Sequence, residues 1–147
     1  MHILVIDENP SAVDFFRDVL SSRGITVTSA SDAVEGIEMA DCSPPDAVLC
    51  DLQLSSGGAR EVIRALQAKS PQMPIVVATE YGEVAEAADA MREGAFGYFI
   101  KGSPAEALNR ELMGAVAQKR LHDRNQRLER ELLRLTLRST ARLRLVA

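Results

Sequence analysis

The chain has 147 residues, 46% hydrophobic and 26% charged, enough for one domain with a real core and too few for a second, catalytic domain. No apolar stretch approaches the ~20 residues of a membrane-spanning helix, and Met1-His-Ile-Leu-Val-Ile-Asp-Glu8 lacks the basic start of a secretory signal, so a cytoplasmic protein is expected. The net charge of −4 is unevenly spread: residues 1–118 carry 8 Lys/Arg against 18 Asp/Glu, and residues 119–147 carry 9 against 3, so an acidic domain precedes a basic tail.

Apolar runs at 2–6, 25–29, 46–50, 74–78 and 96–100 are too continuous for strands with one wet face and predict parallel strands covered on both sides. After the first run, Asn9 can cap a helix with Pro10 at its first position; Val13, Phe16 and Leu20 then share one face until Gly24 ends it. Ser31 or Asp32 opens a second helix, which reaches about Asp41. Val62, Ile63 and Leu66 mark a third; Val84, Ala87, Ala88 and Met91 mark a fourth, closed by Gly94. The last helix begins near Ser103-Pro104 and continues well past residue 130. Its Leu108, Leu112 and Val116 are spaced to cover a sheet. Leu121, Asn125, Leu128, Leu132 and Leu135 then follow alternating steps of four and three, a heptad seam with Asn125 at an a position and Leu128 at d. Such a seam favours a parallel two-stranded coiled coil. It lasts only about two heptads before Ser139 and Arg142 interrupt it, so a frayed helix or linker is the competing reading. Strand and helix alternating five times imply an α/β fold, a doubly wound five-stranded parallel sheet over residues 1–118 with a helical extension over 119–147. Cys42 and Cys50 belong to no C-x-x-C or Cys/His cluster and read as buried reduced thiols.

Asp7 and Glu8, Asp51, Thr79 and Lys101 each stand just past one of the apolar runs. In an open parallel sheet those ends meet at one crevice. Three carboxylates, a hydroxyl and an ammonium suit a divalent metal and a phosphoryl group. Singly, each residue has a plainer role: Asp51 as a cap or surface charge, Thr79 as a cap of the fourth helix, Lys101 as a surface lysine, Tyr98 as packing between helices. The tail arginines, Arg120 to Arg144, read first as the solvated flank of a helix.

The segments Ile3-Leu-Val-Ile-Asp-Glu-Asn-Pro10, Val48-Leu-Cys-Asp-Leu52, Ala78-Thr-Glu-Tyr-Gly82 and Gly94-Ala-Phe-Gly-Tyr-Phe-Ile-Lys101 resemble the receiver domain of bacterial two-component response regulators, over about residues 1–118. The 90–101 segment and the Arg120-Leu-x-x-x-Asn-x-x-Leu128 run are similar to the nitrogen-regulator type of transcriptional activator, in which an ATPase and a DNA-binding domain follow; no GxxxxGK[ST] loop occurs here.

The resemblance implies a flavodoxin-like receiver fold and a phosphoacceptor, not an enzyme acting on other substrates. Asp51 would take the phosphoryl group from a histidine kinase as an acyl phosphate. Asp7, Glu8, Asp51 and the main-chain carbonyl of Gln53 would hold Mg2+. Lys101 would pair with the phosphoryl group, the Thr79 hydroxyl would bond to it, and the Tyr98 ring would report the switch. A homodimer through the face from the fourth to the fifth helix, or through the 119–135 helix, is also implied, with no membrane contact and no direct nucleic-acid binding. Several positions depart from the family pattern: Glu8 for the commoner Asp, Glu80 for a small residue at the phosphoryl entrance, Gly102 for a proline, and Ser55-Ser56-Gly57-Gly58-Ala59 for the usual loop. Glu8 still permits metal binding; Glu80 and the altered loops favour the alternative, a degenerate receiver acting as a phosphorylation-independent interaction module, and the intact Asp51, Thr79 and Lys101 set opposes it. A flavin carrier is disfavoured because Asp7 and Glu8 would repel a cofactor phosphate, and an aspartyl phosphatase because Gln53 stands where a second acid is needed.

Overall fold

Five strands and five helices alternate: β1 (His2–Ile6), α1 (Pro10–Ser21), β2 (Thr26–Ala30), α2 (Ala33–Cys42), β3 (Ala47–Asp51), α3 (Ala59–Lys69), β4 (Ile75–Thr79), α4 (Val84–Glu93), β5 (Gly97–Ile100) and α5 (Ala105–Val146). The computed structural model describes residues 1–55 and 57–146, so Ser56 of the loop after β3 lies outside the described residues. All strands pair in parallel, in the order β2-β1-β3-β4-β5.

Alternate residues of the central strands enter opposite layers, which is why the runs are apolar throughout. Ile3, Val5, Leu49, Val76 and Ala78 pack with Phe16 and Leu20 of α1 and with Leu108, Leu112, Ala115 and Val116 of α5. Leu4, Ile6, Val48, Cys50, Ile75 and Val77 pack on the other face with α2, α3 and Ala90 of α4.

Local signals set the helix ends. Asn9 accepts the Ser11 N–H at 3.0 Å with Pro10 at the first helical position. Asp32, not Ser31, caps α2; it accepts the Glu35 N–H at 2.8 Å, while the Glu35 carboxylate accepts the Ser31 N–H at 3.1 Å. The two bonds tie the first turn reciprocally. Gly94 closes α4 at φ +122, where a Cβ would strike the Gln67 side chain.

One expectation about burial is corrected. Cys42 is exposed, because the buried stripe of α2 runs through Ala33, Gly36 and Ala40 and position 42 lies on the far side of the helix. In α4, Val84 and Met91 are 61% and 39% exposed, and the helix buries only Ala87 and Ala90. It packs against β4 and α3, beside the β5 edge of the sheet. At its last turn, Glu93 meets Arg60 at 2.6 Å and Arg64 at 3.2 Å, both from α3.

The fifth helix passes residue 118 unbroken. Among the described residues Val116 is its last buried one, and residues 123–144 are exposed throughout. At about 1.5 Å per residue, its 42 residues span about 63 Å, so more than half of it projects from the domain. Leu121, Leu128, Leu132 and Leu135 are each at least half exposed. No helix among the described residues is long and apolar enough to cross a membrane.

Candidate functional site

The chain leaves β1 toward β2 on one side and returns to β3 on the other, so the carboxyl ends of β1 and β3 open a crevice. Asp7 follows β1 directly, Asp51 ends β3, Thr79 ends β4 and Lys101 follows β5. The Lys101 ammonium lies 3.0 Å from Asp7 Oδ2 and 3.2 Å from Asp51 Oδ1. Glu80 approaches the same ammonium from the mouth of the crevice, at 3.9 Å. The Lys101 N–H donates to the Thr79 carbonyl at 2.8 Å, and the chain then turns through Gly102 at φ +92. Glycine adopts that conformation readily where a side chain would be strained.

Charge and burial oppose each other here. Burial pushes the Asp51 carboxyl up, Lys101 pulls it down and Asp7 raises it again; the balance lies above the ordinary 3.8. For Lys101, burial pulls downward, but the bonds and charges of Asp7 and Asp51 outweigh it and hold the ammonium above 10.5. Cys50, fully buried behind the site, is pushed far upward by burial and then by Asp51 and Asp7, so it stays a neutral thiol. It donates to the Asp51 carbonyl at 3.4 Å.

Comparison with known proteins settles the family. The model of the response regulator receiver domain matches residues 3–113. The chain belongs to the response regulator receiver family. This receiver is 29% identical over 117 residues to the acid tolerance regulatory protein ActR of Rhizobium meliloti (strain 1021), covering 80% of this chain and 58% of that protein. Against the C4-dicarboxylate transport transcriptional regulatory protein DctD of Pseudomonas aeruginosa it is 30% identical over 136 residues, 92% of this chain and 28% of that one. The receiver therefore spans between about a quarter and three fifths of these relatives. A response regulator receiver domain protein from Clostridium thermocellum superposes with a TM-score of 0.76 at 29% identity, covering 82% of this chain and 97% of that chain. NtrX from Brucella abortus shares the fold, with a TM-score of 0.82 at 23% identity over 86% of this chain and 29% of that one. Receivers are the phosphoacceptor domains of two-component systems, and named relatives of this one are transcriptional regulators.

Within the receiver, Asp7, Asp51 and Lys101 converge, while two other expected site residues bond elsewhere and a third lies partly in solvent. The Glu8 carboxylate accepts the Ser55 hydroxyl at 2.7 Å. The Thr79 hydroxyl donates to Glu83 Oε2 at 3.1 Å. Tyr98 is 45% exposed on β5. Gln53 sits beside Asp51, and its N–H donates to the Asp51 carboxylate. Ser55 was noted in the sequence only as part of a departing loop, and Glu83 was not singled out; a glutamate four residues past a strand-end threonine is a signal that could have found the second.

Among the described residues, no three acidic, His or Cys side chains already form a metal cage. The donor set still fits Mg2+. Asp7 is 3% exposed, and its Oδ2 and an Asp51 oxygen already face one shared cation, the Lys101 ammonium, so two buried carboxylate oxygens converge on one positive charge.

Proposed function

We propose that Asp51 accepts a phosphoryl group from a histidine kinase and that the charge it brings switches an interaction surface. The observation carrying this reading is the shared hold of Asp7 Oδ2 and Asp51 Oδ1 on Lys101 at the strand ends. An Asp51 oxygen would bond to phosphorus as the phosphorus–nitrogen bond of the donor breaks, the donor imidazole leaving with the electron pair. Asp7, Asp51, the Gln53 carbonyl and, once released from Ser55, Glu8 would hold Mg2+. The ion's chemistry here is to neutralise charge as phosphoryl oxygens meet the carboxylates. Lys101 would follow the new charge, and Thr79 and Tyr98 would change position with it. Apart from gaining and losing its own phosphoryl group, the receiver would carry out no reaction.

Residues 1–118 form the switch in this proposal, and residues 119–147 form a helical arm that pairs with a second copy or leads to an output segment. A cytoplasmic setting and a role in transcription would follow, by analogy with the regulators it resembles. The test is intact-protein mass after incubation with Mg2+ and acetyl phosphate. Gain of one phosphoryl group by the wild type, and none by Asp51→Asn or without metal, is expected; labelling of Asp51→Asn equal to wild type would falsify the assignment.

A second reading has one specific observation behind it. Glu80 stands 3.9 Å from Lys101 with its side chain largely in solvent, a charge that competes with a phosphoryl group for the ammonium. A receiver held in one state by that acid would bind its partner without phosphorylation, and the mass experiment would then show no gain until Glu80 is replaced.

A further inference from the structure

Thr79 is 1% exposed, and its single hydroxyl hydrogen already has a partner. The hydroxyl donates to Glu83 Oε2 at 3.1 Å, with the Glu80 carbonyl at 3.3 Å. The same Oε2 accepts the Glu80 N–H at 3.2 Å. Glu83 occupies the cap position of α4 yet makes no side-chain bond to that helix; its carboxylate reaches backward to the end of β4. Ordinary caps do the reverse, accepting from the helix's own first turn. One carboxylate thus closes the loop of residues 80–83, in which Gly82 turns at φ +105. The helix that follows buries only two alanines, so contacts at its ends weigh heavily in where it sits.

We propose that Glu83 is a positioning residue that sets the threshold of the switch by competing with the phosphoryl group for the Thr79 hydroxyl. The inference rests on the phosphoacceptor reading of Asp51. A hydroxyl has one hydrogen to donate, so a bond to Glu83 and a bond to a phosphoryl oxygen exclude each other. Reaching the phosphoryl group therefore costs the Glu83 contact and releases the loop at the start of α4. The coupling is reciprocal: whatever weakens Glu83 as an acceptor tightens the phosphorylated state, and phosphorylation loosens Glu83.

Beryllofluoride with Mg2+, a mimic of the acyl phosphate, is the probe, titrated by fluorine NMR against the full chain. Glu83→Ala should bind it about 5- to 10-fold more tightly than wild type, the net scale of one ordinary intramolecular hydrogen bond. In a Thr79→Ala background the same substitution should change affinity less than about twofold, because the contested hydroxyl is gone. Glu83→Gln, which keeps an acceptor oxygen without the charge, should fall between. Unchanged or weaker binding by Glu83→Ala overturns the inference. Equal tightening with and without Thr79 also overturns it, since that would report a loosened helix and no competition. Both results leave the phosphoacceptor reading standing. Absence of binding by every variant would remove that reading, and the competition with it.

Discussion

Lys101 is held above its ordinary value although burial works against it. Its folded value exceeds the unfolded 10.5, so its contribution to stability is complete below that pH and is lost as pH rises through the folded value. Urea unfolding from about pH 9 to about pH 12 should show this loss in the wild type and less of it in Lys101→Met. Asp51 follows the same sign in a lower pH range, but through its neutral form. Its folded value also lies above the unfolded one, so the folded state favours the protonated acid, and that advantage fades as pH rises from 3.8 through the folded value. At neutral pH, Asp51→Asn should therefore melt higher than wild type, with the difference closing in acid. A lower melting temperature at neutral pH would mean that the bond to Lys101 outweighs the burial. Glu80 is the third residue to test. Its charge faces both Lys101 and any incoming anion, so Glu80→Ala should take up phosphoryl from acetyl phosphate about two- to fivefold faster at low salt, the gain shrinking as salt is added. An unchanged rate would place its carboxylate outside the approach path.

Among the helices, α4 and α5 rest on different physics. The body of α5 is anchored by Leu108, Leu112, Ala115 and Val116, all nearly or wholly buried. Leu112→Ala should cost about 2 to 5 kcal/mol, measured by urea unfolding, as a cavity opens under the sheet. The fourth helix has no such anchor. It is held by Glu83 at its start and by Glu93, paired with Arg60 and Arg64, at its end. Glu93→Ala should speed amide exchange in residues 84–93 while leaving the strands protected. Exchange unchanged in that segment would show that its two alanines suffice. Weak apolar anchoring beside firm polar ties is what a movable element requires, since its position then depends on contacts that a new charge can replace.

For the molecule as a whole, the question is what the projecting half of α5 does. Its seam leucines are exposed while the helix runs unbroken, and a helix with so much uncovered apolar surface is best stabilised by a partner. The proposed partner is a second copy, through the seam containing Asn125 and Leu128. Light scattering should give a dimer for the full chain and a monomer for a chain ending at Gln118. Equal protomer numbers in the two would remove the seam from the assembly.

The five strands, their parallel pairing and the crevice at their ends were legible in one dimension, because strands buried on both faces must be apolar at every position and functional groups must wait for the strand to end; the strand order was not. Asn9, Pro10 and Gly94 were legible for a similar reason: a cap acts on its own turn. The family followed from the order of those ends, Asp7, Asp51, Thr79 and Lys101. Tertiary structure alone decided where side chains with a choice of partners would go. Glu8 bonds to Ser55, 47 residues away, and no local pattern records which loop closes over it. Thr79 points to Glu83, Val84 and Met91 face solvent, and Cys42 lies on the open side of α2. Each depends on where a loop or the sheet edge finally lies, and that is determined by the packing of distant elements, not by the residues beside it.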